Sequence, residues 1–82
     1  AFVERELALV KVTGKGDSRV EALRIADIFR AKPVDTTNES FVFEITGTTE
    51  KVNSFIDLMR PLGLAEICRT GVACVARGQQ GI

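Results

Sequence analysis

The sequence predicts an α+β fold in which strands and helices follow the order β-α-β-β-α-β. Residues 5–13 and 40–46 show the two-residue period of strands, and the first of these segments carries apolar side chains on both faces, which indicates that both are at least partly covered. After each of these segments, apolar residues recur at the i, i+3, i+4, i+7 spacing of one helix face. Because crossover connections are right-handed, both helices should lie on one side of a four-stranded antiparallel sheet.

The first half of the chain supplies one strand and one helix. The strand places Ala8, Val10 and Val12 on one face and Leu7, Leu9 and Lys11 on the other. Ser18 with Glu21 three residues later is a capping-box signature, so the helix is expected to begin there and to run to about Arg30. The apolar stripe of this helix is Ala22, Ile25, Ala26 and Phe29.

Two further strands follow the first helix. Residues 33–37 predict a short strand, which Pro33 restricts to the edge of the sheet because proline cannot donate to the ladder. In the next strand, residues 40–46, the side chains expected to face the helices are Phe41, Phe43 and Ile45.

The rest of the chain supplies the second helix and the last strand. Thr48 is expected to cap the helix, which Pro61 and Gly63 end. Its apolar stripe is Val52, Phe55, Ile56 and Met59. The last strand is expected over residues 64–76, with a bulge near Gly71. The complete order is that of a ferredoxin-like two-layer sandwich, here a single domain covering residues 1–82.

Composition limits the classes of function. The 82 residues carry 11 basic and 11 acidic side chains, and this zero net charge argues against a general nucleic-acid or anionic-membrane surface. No apolar run approaches the length of a membrane span, which is about 20 residues, and we find no signal peptide. The sequence has no histidine, so the commonest acid–base catalyst and the commonest transition-metal ligand are missing. We expect neither a catalytic nor a metal site.

The two cysteines, Cys68 and Cys74, fall in the last predicted strand. Six residues of strand separate two Cα atoms by roughly 20 Å, and a disulfide needs them within about 7 Å. We therefore expect no bond between them. Both are interpreted as small buried hydrophobic residues of a protein in a reducing compartment.

One face of the predicted sheet has no helix to cover it. The residues expected there and predicted as a dimer or partner interface are Leu7, Leu9, Lys11, Val42 and Glu44. Lys11 and Glu44 are expected to pair across neighbouring strands. The alternative is a half-solvated sheet that carries a few stray hydrophobic residues.

Several polar positions suggest contacts with another chain or with a ligand. Arginine pairs carboxylates in a bidentate manner and is enriched at interfaces, which makes Arg30, Arg69 and Arg77 candidates for a partner contact. Solvated arginines at the ends of strands and helices are the alternative. The loop of Gly14, Lys15 and Gly16 reads as a strand-to-helix turn, although a helix N-terminus could bind an anion there.

The ordered set of residues 5–12, 28–31, 44–47 and 66–71, with 76–78, resembles a known family. The chain is similar to the C-terminal domain of the regulatory (small) subunit of acetolactate synthase, also called acetohydroxyacid synthase. The resemblance implies an ACT-like domain, the C-terminal half of a longer regulatory subunit. An N-terminal residue that is not methionine, Ala1, agrees with a fragment of that kind.

The resemblance also implies a function. Such a subunit is not the enzyme but binds the catalytic subunit, raises its activity and makes it sensitive to valine or another branched-chain amino acid. The C-terminal half is implicated in dimerisation and regulation. Thiamine diphosphate, Mg and FAD are then expected only on the catalytic subunit, with none in this chain. The expected location is the bacterial cytoplasm, or the plastid of a plant. Arg30, Arg69, Thr70, Gly71 and Arg77 become the candidate contacts with the catalytic subunit.

Three other functions are compatible with the same element order. The domain could bind an amino acid itself, as ACT domains do, near the loop of Gly14, Lys15 and Gly16. An RNA-recognition domain would need Phe41 and Phe43 on the open face with basic neighbours, but acidic residues flank them. An acylphosphatase-like hydrolase needs an arginine and an asparagine converging on phosphate, and neither asparagine, Asn38 or Asn53, adjoins a suitable loop.

Overall fold

The structure is a computed structural model that describes residues 2–79 and 81–82. Its elements in chain order are β1 (Phe2–Val12), α1 (Asp17–Ile28), β2 (Lys32–Thr36), β3 (Phe41–Gly47), α2 (Thr49–Met59), a 3-10 turn (Arg60–Leu62), β4 (Leu64–Arg69) and β5 (Ala73–Ala76). The predicted α+β, ferredoxin-like order is confirmed. The observed order differs from the predicted one only at the last strand, which is interrupted at residues 70–72 and forms two strands, β4 and β5.

The sheet is organised around β1. Its strand order is β2-β3-β1-β4, and each pair in it is antiparallel. Residues 8–12 of β1 lie between β3 and β4, whereas residues 2–5 pair with β5. We call residues 2–5 with Ala73–Ala76 the ribbon, since β3 pairs with β1 only from Glu6 onward. The ribbon gives the molecule an elongated shape of 50 × 18 × 16 Å.

The core lies between the helices and one face of the sheet. The strand side chains buried there are Ala8, Val10, Val12, Phe41, Phe43 and Ile45, each at most 4% exposed. Helix α2 contributes its whole predicted stripe, Val52, Phe55, Ile56 and Met59. Phe43 lies at the centre, with its ring centroid 5.4 Å from that of Phe41 and 6.0 Å, edge on, from that of Phe55. The predicted inward faces of β1, β3 and α2 are therefore confirmed.

The start of α1 differs from the capping-box prediction, which is wrong. The N-cap is Gly16 (φ 58°), and no side chain caps this helix. Ser18 lies inside the first turn, where its N–H donates to the Lys15 carbonyl at 3.2 Å. Glu21 pairs with Arg24 at 2.7 Å. A left-handed glycine lets the backbone close this turn alone, so the serine hydroxyl is not needed.

The start of α2 and the position of β2 follow the sequence prediction. Thr48 Oγ1 accepts a hydrogen bond of 3.2 Å from the Lys51 N–H, as expected for an N-cap. Strand β2 forms one edge of the sheet, as Pro33 predicted, and its register with β3 shifts between Pro33 and Asp35.

Helix α1 ends in a left-handed residue that is not glycine. Arg30 has φ 57°, its N–H donates to the Asp27 carbonyl at 3.1 Å, and the Ala31 N–H donates to the Ala26 carbonyl at 2.8 Å. These two bonds form a Schellman motif with Arg30 at the C′ position. An L-residue in this conformation brings its Cβ close to a carbonyl oxygen, which costs about 1–2 kcal/mol.

Replacing Arg30 by glycine should therefore stabilise the fold. We expect Arg30→Gly to raise the free energy of unfolding in urea by about 0.5–1 kcal/mol, after the greater freedom of glycine in the unfolded chain is subtracted. Arg30→Ala is the control, because it removes the charge and keeps the Cβ. A gain of equal size in Arg30→Ala would contradict the conformational explanation.

Candidate interaction face

The side of the sheet opposite the helices is uncovered in the structure. We call it the open face, and define it by Leu7, Leu9 and Lys11 of β1, Val42 and Glu44 of β3, and Glu66 and Cys68 of β4. Leu9 is 38% exposed, and Leu7 and Val42 are half-buried. The five residues predicted from the sequence as an interface thus share one surface. Their role in binding another chain stays a prediction.

The open face has a shallow apolar concavity of about 230 Å³. It is lined by Leu9, Lys11, Val42, Glu66 and Cys68. Two cross-strand rows form it, since Leu9 lies opposite Glu44 and Cys68, and Lys11 lies opposite Val42 and Glu66. The lining thus combines two aliphatic side chains and a thiol with one ion pair.

Lys11 pairs with Glu66, so the predicted pair with Glu44 is wrong. The distance from Lys11 Nζ to Glu66 Oε1 is 2.8 Å. The hydrogen bond and the charge of Glu66 raise the pKa of Lys11, and the same contact lowers the pKa of Glu66. The register explains the choice, because Glu66 lies directly opposite Lys11 whereas Glu44 lies one row away, opposite Leu9.

The expected burial of the cysteines is also wrong. Cys68 and Cys74 are both free thiols, as expected, but both are exposed. Cys68 lies on the open face opposite Leu9, and Cys74 lies in the ribbon opposite Glu4. Cys68 is exposed because the open face has no helices, and Cys74 belongs to a strand that is exposed along almost its whole length.

Arg69 is part of a polar network within the chain that the sequence did not predict. Its Nε and Nη2 donate to the two carboxylate oxygens of Glu6 at 2.6 and 2.9 Å, and its Nη1 donates to Asn53 Oδ1 at 2.7 Å. Glu6 is only 4% exposed, and the hydrogen bond from Arg69 holds its pKa below the ordinary value despite its burial. The signal in the sequence was the position of Glu6, two residues before Ala8 on the buried side of β1.

Thr70 and Gly71 join the sheet to the ribbon. The Thr70 N–H donates to the Leu7 carbonyl at 3.0 Å, and Thr70 Oγ1 accepts from the Leu7 N–H at 3.1 Å. Thr70 therefore satisfies both backbone groups of Leu7 at the point where the partner of β1 changes from β4 to β5. Gly71 has φ 83°, which a side chain would disfavour, and it turns the chain into β5.

The five candidate contacts for a partner chain fall at three separate places in the fold. Arg69, Thr70 and Gly71 lie where β4 ends, and their interactions described above are within the chain. Arg30 is exposed at the end of α1, and Arg77 is exposed directly after β5. Arg69 and Thr70 are exposed as well, but their side chains are hydrogen-bonded within the chain, whereas Arg30 and Arg77 form no ion pair among the described residues. Contact of these residues with another subunit stays a prediction.

The loop of Gly14, Lys15 and Gly16 packs against the turn before β4. A Cβ on Gly14 would collide with the Leu62 carbonyl oxygen, and the Thr13 N–H donates to the Gly63 carbonyl at 2.8 Å. Close approach of two backbones thus accounts for the glycine at position 14. Binding of an effector or an anion by this loop stays untested.

The structure bears on other functional classes as well. Within the part of the chain that the structure describes, no helix is long and apolar enough to cross a membrane. Residues 2–79 and 81–82 hold no group of three or more cysteine, aspartate or glutamate side chains placed to bind a metal ion. Phe41 and Phe43 are buried beneath the helices, so they cannot form the stacking surface that an RNA-recognition domain presents.

The architecture defines a ferredoxin-like α+β domain in which the helices cover only one face of the sheet. Residues 5–78 match a family model described as the small subunit of acetolactate synthase. The chain belongs to the acetolactate synthase small-subunit family.

Relatives and a solved structure agree with this assignment. The chain is 45% identical over 78 residues to a probable acetolactate synthase small subunit of Archaeoglobus fulgidus, covering 95% of this chain and 49% of the relative. It is 42% identical over 80 residues to the acetolactate synthase small subunit of Bacillus subtilis, covering 98% and 46%. The crystal structure of the small subunit from Thermotoga maritima superimposes with a TM-score of 0.88 at 39% identity, covering 96% of this chain and 48% of that one. The chain thus spans about half the length of these relatives.

Gly14→Ala should destabilise the domain, because the added Cβ would meet backbone that cannot move independently. We expect a loss of about 1–3 kcal/mol in the free energy of unfolding. Gly81→Ala is the matched control, since a Cβ at Gly81 has no neighbour within 4 Å, and we expect a change within about 0.5 kcal/mol. Unfolding in urea measures both. Equal stabilities of Gly14→Ala and the parent chain would show that the close approach is not needed.

The Glu6–Arg69 pair should make stability depend on pH in the acid range. Because the pKa of Glu6 is lowered in the folded state, its contribution is complete above the ordinary glutamate pKa, about 4.3, and is lost as pH falls through the folded value. Glu6→Gln should therefore be less stable at pH 7 and should lose less stability on acidification.

Urea unfolding measured from pH 7 to pH 3 tests this expectation. Glu21→Gln is the control, because its exposed pair with Arg24 contributes little. An acid dependence in Glu6→Gln as steep as that of the parent chain would contradict the assignment.

Proposed function

We propose that this chain is a non-catalytic regulatory domain that binds the catalytic subunit of acetolactate synthase. It supports activation and feedback regulation of that subunit in branched-chain amino acid synthesis. The observation that carries the proposal is the match of residues 5–78 to the small-subunit family, joined to an architecture that leaves one sheet face open. Because the chain spans about half of its relatives, it would form one half of a longer regulatory subunit, the C-terminal half.

A non-catalytic role agrees with the chemistry of the open face. Its concavity contains one ion pair, Lys11 with Glu66, and otherwise aliphatic or thiol side chains. General acid–base catalysis favours groups whose pKa lies near neutral pH, and this contact moves both pKa values away from it. Thiamine diphosphate, Mg and FAD would belong to the catalytic subunit, and the assembly would act in the bacterial cytoplasm or a plastid.

Self-association through the open face would bury apolar side chains that this small domain leaves partly exposed. Burying an aliphatic side chain completely contributes roughly 1.5–3 kcal/mol, and Leu9 and Val42 retain part of that potential. A two-stranded ribbon is marginally stable alone, which adds to the advantage of a second copy. The proposed assembly is therefore a homodimer that also contacts the catalytic subunit.

Contact with the catalytic subunit would use exposed polar residues outside the dimer interface. Arg30 ends α1 and Arg77 follows the ribbon, and within the described part of the chain neither forms an ion pair. Arg69 would act indirectly, by holding Glu6 and the base of the ribbon in place. Binding of an effector would then change the activity of the catalytic subunit through a coupling free energy, which the contacts between packed subunits carry.

The direct test is a titration of the acetolactate synthase catalytic subunit with this chain. We expect a complex in sedimentation velocity and a higher rate of acetolactate formation than with the catalytic subunit alone. Arg30→Ala with Arg77→Ala should weaken the complex, whereas Arg60→Ala, which removes another exposed arginine, is the control. No complex at tens of micromolar, with no change in rate, would contradict the proposed role.

A further inference from the structure

The ribbon is the feature that the proposed function leaves without a role. Resting on the proposed dimerisation, we propose that the ribbon of each copy packs against the open face of the second copy. In this arrangement Arg5 of one chain meets Glu44 of the other. The partner of the ribbon is therefore a second copy of this chain, and the contact fixes how the two copies are aligned.

The ribbon and the open face share one side of β1. Alternation along the strand places Val3, Arg5, Leu7, Leu9 and Lys11 on the same side, a stripe of about 26 Å at 3.3 Å per residue. At the ribbon end a second shallow concavity of about 220 Å³ is lined by Val3, Arg5, Ala73, Cys74 and Val75. The stripe therefore runs without interruption from the ribbon to the concavity of the open face.

The ribbon has no cover within the described part of the chain. Phe2 and Val75 are each 67% exposed, and Val3 is 43% exposed. The pairing with β3 ends opposite Glu6, so among the described residues no strand flanks that edge of residues 2–5. Exposed apolar side chains on a two-stranded ribbon are typical of an arm that another chain covers.

Two-fold symmetry limits how two identical faces can meet. Such an interface uses the same patch twice, so the patch must be complementary to itself. Leu7 is the midpoint of the stripe. A two-fold axis that lies between the two faces, level with Leu7 and perpendicular to the strands, brings Arg5 of one copy above Leu9 of the other. Glu44 lies in the same cross-strand row as Leu9, within reach of the arginine. Val3 then lies above the row of Lys11, Val42 and Glu66, which lines the concavity.

Charge favours this alignment over the alternatives. Among the residues that the structure describes, Arg5 and Glu44 form no ion pair within the chain, and Arg5 bonds only the carbonyl of its neighbour Glu4. The antiparallel alignment pairs Arg5 with Glu44 twice. A two-fold axis along the strands would instead place Arg5 over Arg5, which like-charge repulsion opposes.

Charge reversal tests the alignment. We expect Arg5→Glu and Glu44→Lys each to dimerise at least ~10-fold more weakly than the parent chain at low salt. An equimolar mixture of the two variants should form a heterodimer close to the parent in affinity, because both contacts are then attractive. Sedimentation equilibrium measures the three constants, and far-UV circular dichroism verifies that each variant is folded.

The outcomes separate the alignment from dimerisation itself. Leu9→Asp should abolish the dimer, whereas Leu23→Asp, at an equally exposed leucine on the outer side of α1, should not. If Leu9→Asp acts as expected but the mixed variants remain as weak as each alone, the open face stands and the alignment is overturned. A parent chain that stays monomeric, or Leu9→Asp that dimerises normally, would overturn both. Binding to the catalytic subunit is measured separately, so the regulatory role is decided independently.

Discussion

Burial of one side of β1 is the constraint on which the structure depends. Ala8, Val10 and Val12 are almost completely buried beneath the helices, and β1 pairs with β3 on one edge and with β4 on the other. Both helices pack against this side of the sheet. The strand alternation that buries these three residues therefore also directs Leu7, Leu9 and Lys11 to the side without helices. The open face is a direct consequence of the core, and so is the opportunity for another chain to bind there.

A set of polar contacts stabilises the end of the sheet from which the ribbon extends. Arg69 joins Glu6 of β1 to Asn53 of α2, and Thr70 occupies both backbone groups of Leu7. A buried carboxylate is tolerated there because a bidentate arginine satisfies both oxygens. These contacts fix the direction in which the ribbon leaves the core.

The sequence predicted which side of each strand is buried better than it predicted where a helix starts or how two strands are aligned. A two-residue period is a local property, so the inward sides of β1 and β3 could be predicted from Val10 and Phe43 with their neighbours. The start of α1 could not, because Gly16 closes the turn through the backbone and makes the Ser18 signature irrelevant. The partner of Lys11 depended on the register between β1 and β4, and no local pattern indicates that this register shifts between Lys11 and Val12 of β1. The exposure of Cys68 depended on the register of β4, which places this residue opposite Leu9 on the side of the sheet without helices.

The most direct test of the account is an isotope-filtered NMR experiment on a mixture of labelled and unlabelled chains. It detects contacts between methyl groups of different copies. We expect contacts between copies from Leu9, Val42 and Val3, because these side chains lie on the uncovered side of the sheet. Contacts confined to the outer side of α1, such as Val20 and Leu23, would show that the open face is not where two copies meet.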